Sequence, residues 1–202
     1  MRIVIATSNA HKLQEFRAML EPLGHQVIGA GEMGGMPEVV EDGATFEENA
    51  AKKACQAAAA FHCSVMADDS GLEVLALGGE PGVFSARYAG EGGNDGRNLA
   101  KVLGKLQGVE DRRARFVCAI ALADETGALR GCVRGEVAGH MALAPQGEGG
   151  FGYDPAFIPQ GYEQTFGELP ASVKNQLSHR ARALEKAVAQ FFSGNPAAPG
   201  RE

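Results

Sequence analysis

The run Arg115-Phe116-Val117-Cys118-Ala119-Ile120-Ala121-Leu122-Ala123, the turn Asp124-Glu125-Thr126-Gly127, and the run Arg130-Gly131-Cys132-Val133-Arg134-Gly135-Glu136-Val137-Ala138 decide the fold class. Two apolar segments flanking a short polar turn with a glycine read as an antiparallel hairpin. Far upstream, Ile3 to Ala6 is a continuous apolar run that fits a buried strand. It ends in Thr7-Ser8-Asn9, and Leu13, Phe16, Leu20 and Leu23 then recur at helical spacing until Pro22 and Gly24 stop the helix. A strand–helix opening combined with a later hairpin predicts an α/β (mixed α+β) domain with a mixed sheet, not a purely doubly wound one.

The remaining segments fit around that frame. Residues 30–43 read as a loop, and Thr45-Phe46-Glu47-Glu48 has capping-box spacing ahead of a helix whose inward stripe is Phe46, Ala50, Ala54, Ala57 and Phe61. Thr45, Asn49 and Lys53 form an adjacent stripe that can face a polar site, with Lys52 paired to Glu48 on the outer face. Ser64 to Ala67 predicts a short strand ending in a turn at Asp68-Asp69-Ser70-Gly71, and Leu72 to Leu77 a further strand. Leu99, Val102, Leu103 and Leu106 mark a third helix. Pro145 to Asp154 is a glycine-rich loop, and Ala181, Leu184, Val188 and Phe191 mark a last helix starting near Ser178. Residues 1–192 read as a single domain and 193–202 as a flexible tail.

With 202 residues, 45% hydrophobic and 22% charged, the chain can bury a sizeable core, which excludes a disordered or fibrous protein. Lys and Arg number 19 against 25 Asp and Glu, and the net charge of −6 without a basic run argues against a nucleic-acid polymer as partner. Small phosphorylated ligands stay open, because a few lysines and a divalent cation neutralise a triphosphate locally. Cys55, Cys63, Cys118 and Cys132 have no zinc-like spacing and read as reduced core thiols. The apolar start is too short for a secretory segment and no run approaches a membrane span, so a soluble, cytoplasmic protein with no membrane partner is expected.

Several clusters carry candidate chemistry. Thr7-Ser8-Asn9-Ala10-His11-Lys12 lies where a strand meets a helix N-terminus and reads as a phosphate cradle, or equally as a plain cap with a solvated lysine. Asp68-Asp69 places two carboxylates together at the end of an apolar strand, which suits a magnesium site. Adjacent strand residues point to opposite faces, so one of the pair can bind metal while the other accepts backbone N–H bonds; surface turn acids are the plainer alternative. Gly147-Glu148-Gly149-Gly150-Phe151-Gly152 matches G-x-G-x-x-G but opens no helix, so it is no dinucleotide fingerprint. Lys174, His179 and Arg180 group three donors suited to a carbonyl-bearing base or a phosphate, and Phe151 can stack on a base or simply pack. His11, His25, His62 and His140 have no ligand spacing and read as surface or loop residues.

Taken together, Thr7-Ser8-Asn9 with Lys12, Glu41 through Ala54, Ala67-Asp68-Asp69-Ser70-Gly71-Leu72, Pro81-Gly82-Val83-Phe84-Ser85-Ala86-Arg87-Tyr88, Phe151-Gly152-Tyr153-Asp154-Pro155 and Ser178-His179-Arg180 resemble the inosine triphosphate pyrophosphatase family. The matches run in order over nearly the whole chain. The resemblance implies an elongated mixed sheet flanked by helices, two lobes around a central nucleotide-binding cleft, and a homodimer. It implies Mg²⁺-dependent hydrolysis of ITP, dITP and XTP to the monophosphate and pyrophosphate. Asp69 would be the general base and, with Glu41, a magnesium ligand, supported by Asp68. Thr7, Ser8, Asn9, Ala10, His11, Lys12 and Lys53 would hold the triphosphate and Ser70 the nucleotide. Phe151, Gly152, Tyr153, Asp154, Lys174, His179 and Arg180 would surround the base. Ser8, where many members carry glycine, is the clearest departure. A related pyrophosphatase of modified pyrimidine nucleotides and a non-catalytic purine-nucleotide sensor are the alternatives.

Overall fold

The computed structural model describes residues 2–90 and 92–192; the expected tail at 193–202 lies outside them. Strand β1 (Arg2–Ile5) leads into helix α1 (Ala10–Leu20), followed by β2 (Gln26–Gly29), α2 (Phe46–Phe61), β3 (Val65–Val74), α3 (Asp95–Lys105), β4 (Arg113–Ala123) and β5 (Leu129–Met141). The chain continues through β6 (Phe157–Pro159), α4 (Ala171–Leu177) and α5 (His179–Phe191). One sheet of order β2-β1-β3-β4-β5-β6 holds the six strands of the described residues, with β1 parallel to β2 and β3 and the remaining pairs antiparallel. The predicted mixed sheet and hairpin are both present, and the hairpin turn is held by Asp124, whose Oδ1 accepts from the Thr126 and Ala128 amides.

Strand alternation sorts the core into layers. Val117, Ala119, Ala121 and Ala123 of β4 join the alanine stripe of α2, while Cys118 and Ile120 point the other way to Phe16 and Leu20 of α1 and Ala183, Leu184 and Ala187 of α5. A third cluster packs Leu99 and Val102 of α3 against Leu72, Val74, Phe116 and Phe157. The α5 layer sits tight on the sheet because Gly135 of β5 has no side chain: a Cβ there would lie 2.2 Å from the Ala183 nitrogen.

Several local expectations change. No turn interrupts residues 68–71: β3 is continuous because β4 pairs with it residue by residue, from Val65 opposite Ala123 to Val74 opposite Ala114. Ladder pairing on a buried strand outweighs the turn preference of Asp, Ser and Gly. Gly71 serves a close approach instead, since a Cβ would lie 2.3 Å from Ser85 Oγ. Leu75–Leu77, expected as strand, form a 3₁₀ turn. Leu23 lies beyond α1 and is 61% exposed, so it leaves the predicted stripe. The Thr45 hydroxyl accepts from the Glu48 amide at 3.1 Å, but the Glu48 carboxylate returns to the Ala44 amide, and Lys52 pairs with Asp42 instead of Glu48. His140 lies in β5, although exposed. The short elements β2, β6 and α4 carry too few residues for a legible period. All four cysteines are free, but only Cys118 is fully buried.

Candidate functional site

Asp68 and Asp69 are neighbours on β3, and the pleat sends them to different layers: Asp68 stands opposite Ile120 and Asp69 opposite Ala119. On the Asp68 side, the fully buried carboxylate meets Lys12 Nζ of α1 at 2.9 Å and Arg180 Nη2 of α5 at 3.3 Å. The Ser70 hydroxyl donates to it at 3.3 Å. Burial opposes its ionisation, yet Lys12, Arg180 and Lys53 hold it well below the usual carboxylate range. Asp68 therefore accepts from side chains, not from the turn amides expected of it. Arg180 also donates to Ser70 Oγ at 2.9 Å and pairs with Glu15.

Glu15 was not singled out in the sequence. Its carboxylate takes Arg180 with one oxygen and Lys174 with the other, at 2.7 Å, and Lys174 reaches Asp154 at 2.5 Å. The available signal was its place three residues after Lys12 on α1, which puts both on one helix face.

On the other side, Lys53 Nζ of α2 lies 3.1 Å from Asp69 Oδ1 and 3.2 Å from Glu41 Oε2, and Asn49 donates to Asp69 Oδ2 at 3.2 Å. The Asn49–Lys53 stripe thus reaches the site as its spacing predicted. Burial is the main influence on Asp69 and raises its pKa against the pull of Lys53 and Lys12, with Glu41 pushing the same way as burial. Lys53 is shared among carboxylates: burial disfavours its charge, but Asp69, Asp68 and Glu41 outweigh it and hold the ammonium protonated. Two adjacent aspartates therefore titrate in opposite directions, the pattern by which a permanently ionised anchor is told from a candidate base.

A cleft of about 440 Å³ gathers Thr7, Ser8, Asn9, Lys12, Glu41, Lys53, Asp69, Ser70, Phe151, Gly152, Tyr153, Asp154, Lys174, His179 and Arg180. Ala10 and His11, expected with them, do not line it; the His11 ring instead stacks on Phe151 at 5.3 Å. The first turn forms the cap of the plainer reading, but its lysine does not stay on the outside. Asn9 Oδ1 caps α1 by accepting from the His11 and Lys12 amides, at 2.9 and 3.1 Å, while Lys12 turns inward to Asp68 and keeps only 15% of its side chain exposed. Off glycine, only His62 among the described residues has a positive φ, so Ser8 fits its position with an ordinary backbone.

At the opposite end, His179 is buried and stacked on Phe116 at 4.7 Å. Burial, reinforced by Arg180, Lys174 and Lys12, pushes its pKa well below the usual range, so the imidazole is neutral. Its Nδ1 and the Nε of Arg180 are buried polar atoms without a protein partner. Asp154 holds the loop by accepting from the Phe151 amide at 2.8 Å, and Asp95 does the same for the Gly152 amide at 2.8 Å. Tyr153 donates to the Ser85 carbonyl at 2.8 Å. Phe151 packs within the protein, with Lys174 Nζ 4.6 Å from its ring centre and the His11 ring stacked on it.

No helix among the described residues is long and apolar enough to cross a membrane. A relative from Desulforamulus reducens named dITP/XTP pyrophosphatase is 49% identical over 93% of this chain and 94% of its own length. One of the same name from an Exiguobacterium species is 50% identical over 95% and 97%. The solved structure of the Staphylococcus aureus Ham1 protein superposes with a TM-score of 0.85 at 42% identity, covering 96% of this chain and all of that one. A family model described as the Ham1 family matches residues 3–190, and with relatives at half identity over nearly the full length, the chain belongs to the Ham1 family.

Proposed function

We propose that this chain is a nucleoside triphosphate pyrophosphatase that hydrolyses ITP, dITP and XTP to the monophosphate and pyrophosphate. The observation that carries the reading is the split pair on β3: Asp68 is locked among Lys12 and Arg180, while Asp69, with its raised pKa, faces the cleft beside Lys53 and Glu41. Relatives at about half identity carry the name dITP/XTP pyrophosphatase, which supports the substrate class.

In this reading Asp69 accepts a proton from the water that attacks the α-phosphorus, the Pα–O bond to the β-phosphate breaks, and pyrophosphate leaves with the bonding pair. Lys12 and Lys53 balance the charge that grows on the phosphate oxygens. A magnesium ion suits the donor set: Glu41 and Asp69 each bring an oxygen within 3.2 Å of the one ammonium nitrogen they share. Magnesium commonly uses one or two carboxylates and completes its shell with water and substrate phosphates. Glu41 and Asp69 would hold it, and when bound it supplies Lewis-acid neutralisation of the triphosphate.

At the base end, Lys174 and Arg180 carry donors only and the neutral His179 offers one ring N–H. A 6-oxo purine presents an acceptor to them, whereas adenine presents a 6-amino donor and leaves buried donors unpaired, at about 1–3 kcal/mol each. A homodimer in the reducing cytoplasm, where four free thiols persist, completes the proposal. Pyrophosphate release from ITP, XTP, dTTP, GTP and ATP, with and without Mg²⁺, tests it. IMP or XMP formed only with metal, with little action on ATP and GTP, is the expected result. Preference for dTTP would move the chain to a pyrimidine enzyme, and ITP binding without turnover to a sensor.

A further inference from the structure

The segment Pro81 to Tyr88 carries part of the family resemblance but has no role in the mechanism above. It ends in Arg87, which lines the cleft. The four other lysines and arginines of the cleft are already committed to carboxylates. Lys12 pairs with Asp68, Lys53 with Asp69 and Glu41, Lys174 with Glu15 and Asp154, and Arg180 with Asp68 and Glu15. Arg87 has no carboxylate partner among the described residues. Its Nη2 donates to the backbone carbonyl of Glu41 at 3.1 Å, and its guanidinium lies 5.3 Å from the centre of the Phe84 ring. One N–H of the planar fork is used and the charge is left unneutralised.

The arginine is also well fixed at its root. It closes a 3₁₀ turn, Gly82–Arg87, in which the buried Ser85 accepts from the Leu72 amide of β3 at 2.9 Å and donates to the Gly82 carbonyl at 2.6 Å. Leu72 stands three residues along the strand from Asp69. Arg87 therefore meets the Glu41 backbone while Lys53 meets the Glu41 carboxylate, so both cations border the Glu41 end of the cleft. A guanidinium fork matches two phosphate oxygens at once, which a lysine does not.

We infer that Arg87 is a further catalytic residue, clamping the phosphates that depart as pyrophosphate and stabilising the charge that builds there as the Pα–O bond breaks. The inference rests on the triphosphate pyrophosphatase reading. It is tested by steady-state hydrolysis of ITP with Mg²⁺ by wild type, Arg87→Ala and Arg87→Lys, with pyrophosphate and IMP as product inhibitors. In Arg87→Ala, kcat/KM is expected to fall about 10²–10³-fold, with partial recovery in Arg87→Lys. Inhibition by pyrophosphate should weaken about tenfold or more, inhibition by IMP should hold within about twofold, and the ITP-to-ATP preference should be unchanged. A kcat/KM within about threefold of wild type would overturn the inference. So would equal losses of pyrophosphate and IMP inhibition, which mark an arginine that only holds the Glu41 loop. If wild type itself leaves ITP intact, the broader reading fails instead. Calorimetric titration of wild type and Arg87→Ala with pyrophosphate and Mg²⁺ then decides the clamp alone, equal affinity overturning it.

Discussion

Asp68 and Asp69 have the same side chain, adjacent positions and the same strand, yet the two faces of β3 give them opposite chemistry. The α5 face surrounds Asp68 with cations from α1 and α5 and keeps it ionised, whereas the α2 face gives Asp69 one shared ammonium and an amide, and burial raises its pKa. A strand pleat is the whole difference in position, and the helices packed on each face supply the difference in chemistry.

The comparison breaks most visibly at Asp69. Asp69→Asn should lower ITP turnover by about 10³-fold or more while the thermal midpoint moves little, because the amide keeps the shape and loses the base. Turnover within tenfold of wild type would remove Asp69 from the proton transfer. Asp68→Ala should act on the fold first, costing about 3–5 kcal/mol in urea unfolding, since it leaves Arg180 and Lys12 as buried charges short of their anion. An unchanged midpoint would show that Glu15 alone can hold Arg180 and that Lys12 needs no anion there.

Two smaller effects sharpen the α5 side. Gly135→Ala puts a methyl group 2.2 Å from the Ala183 nitrogen and 2.4 Å from the His179 carbonyl, so α5 must lift from the sheet. A loss of about 1–3 kcal/mol is expected, with binding of IMP weakened more than binding of pyrophosphate. Equal weakening of both would show that the shift is not local to the base end. His179 gives a pH test. Its folded pKa is depressed, so below about 6.5 the unfolded chain binds the extra proton and stability falls as pH drops. Between pH 7 and 5, wild type should lose more stability than His179→Gln, with a difference in slope approaching about 1.4 kcal/mol per pH unit. Parallel curves for the two proteins would mean that the buried imidazole charges as readily folded as unfolded.

Much of this arrangement was legible in the residue order. The hairpin, the βα opening and helix α2 have long or strongly patterned apolar stripes, and the pattern follows from burying one face of each element. The stripe Asn49–Lys53 foretold contacts to the site because four-residue spacing places both side chains on one face of a helix. The turn residues Asp68 to Gly71 misled, since local preference was read without the β4 partner that pairs every residue of β3.

The site divides the same way. Sequence by itself determined local placements, such as Asn49 and Lys53 on one helix face, because spacing is a local property of the chain; that carboxylates, lysines, the polar first turn and the glycine-rich loop share one cleft was implied only by the family resemblance of those motifs. It also determined that Asp68 and Asp69 face apart. Only the tertiary structure decided which aspartate is the anchor, that Glu15 joins Lys174 to Arg180, and that Arg87 keeps an unneutralised charge. Those outcomes depend on which distant groups share a buried space, and the energy of a charge there is set by partners dozens of residues away, not by its neighbours in the chain.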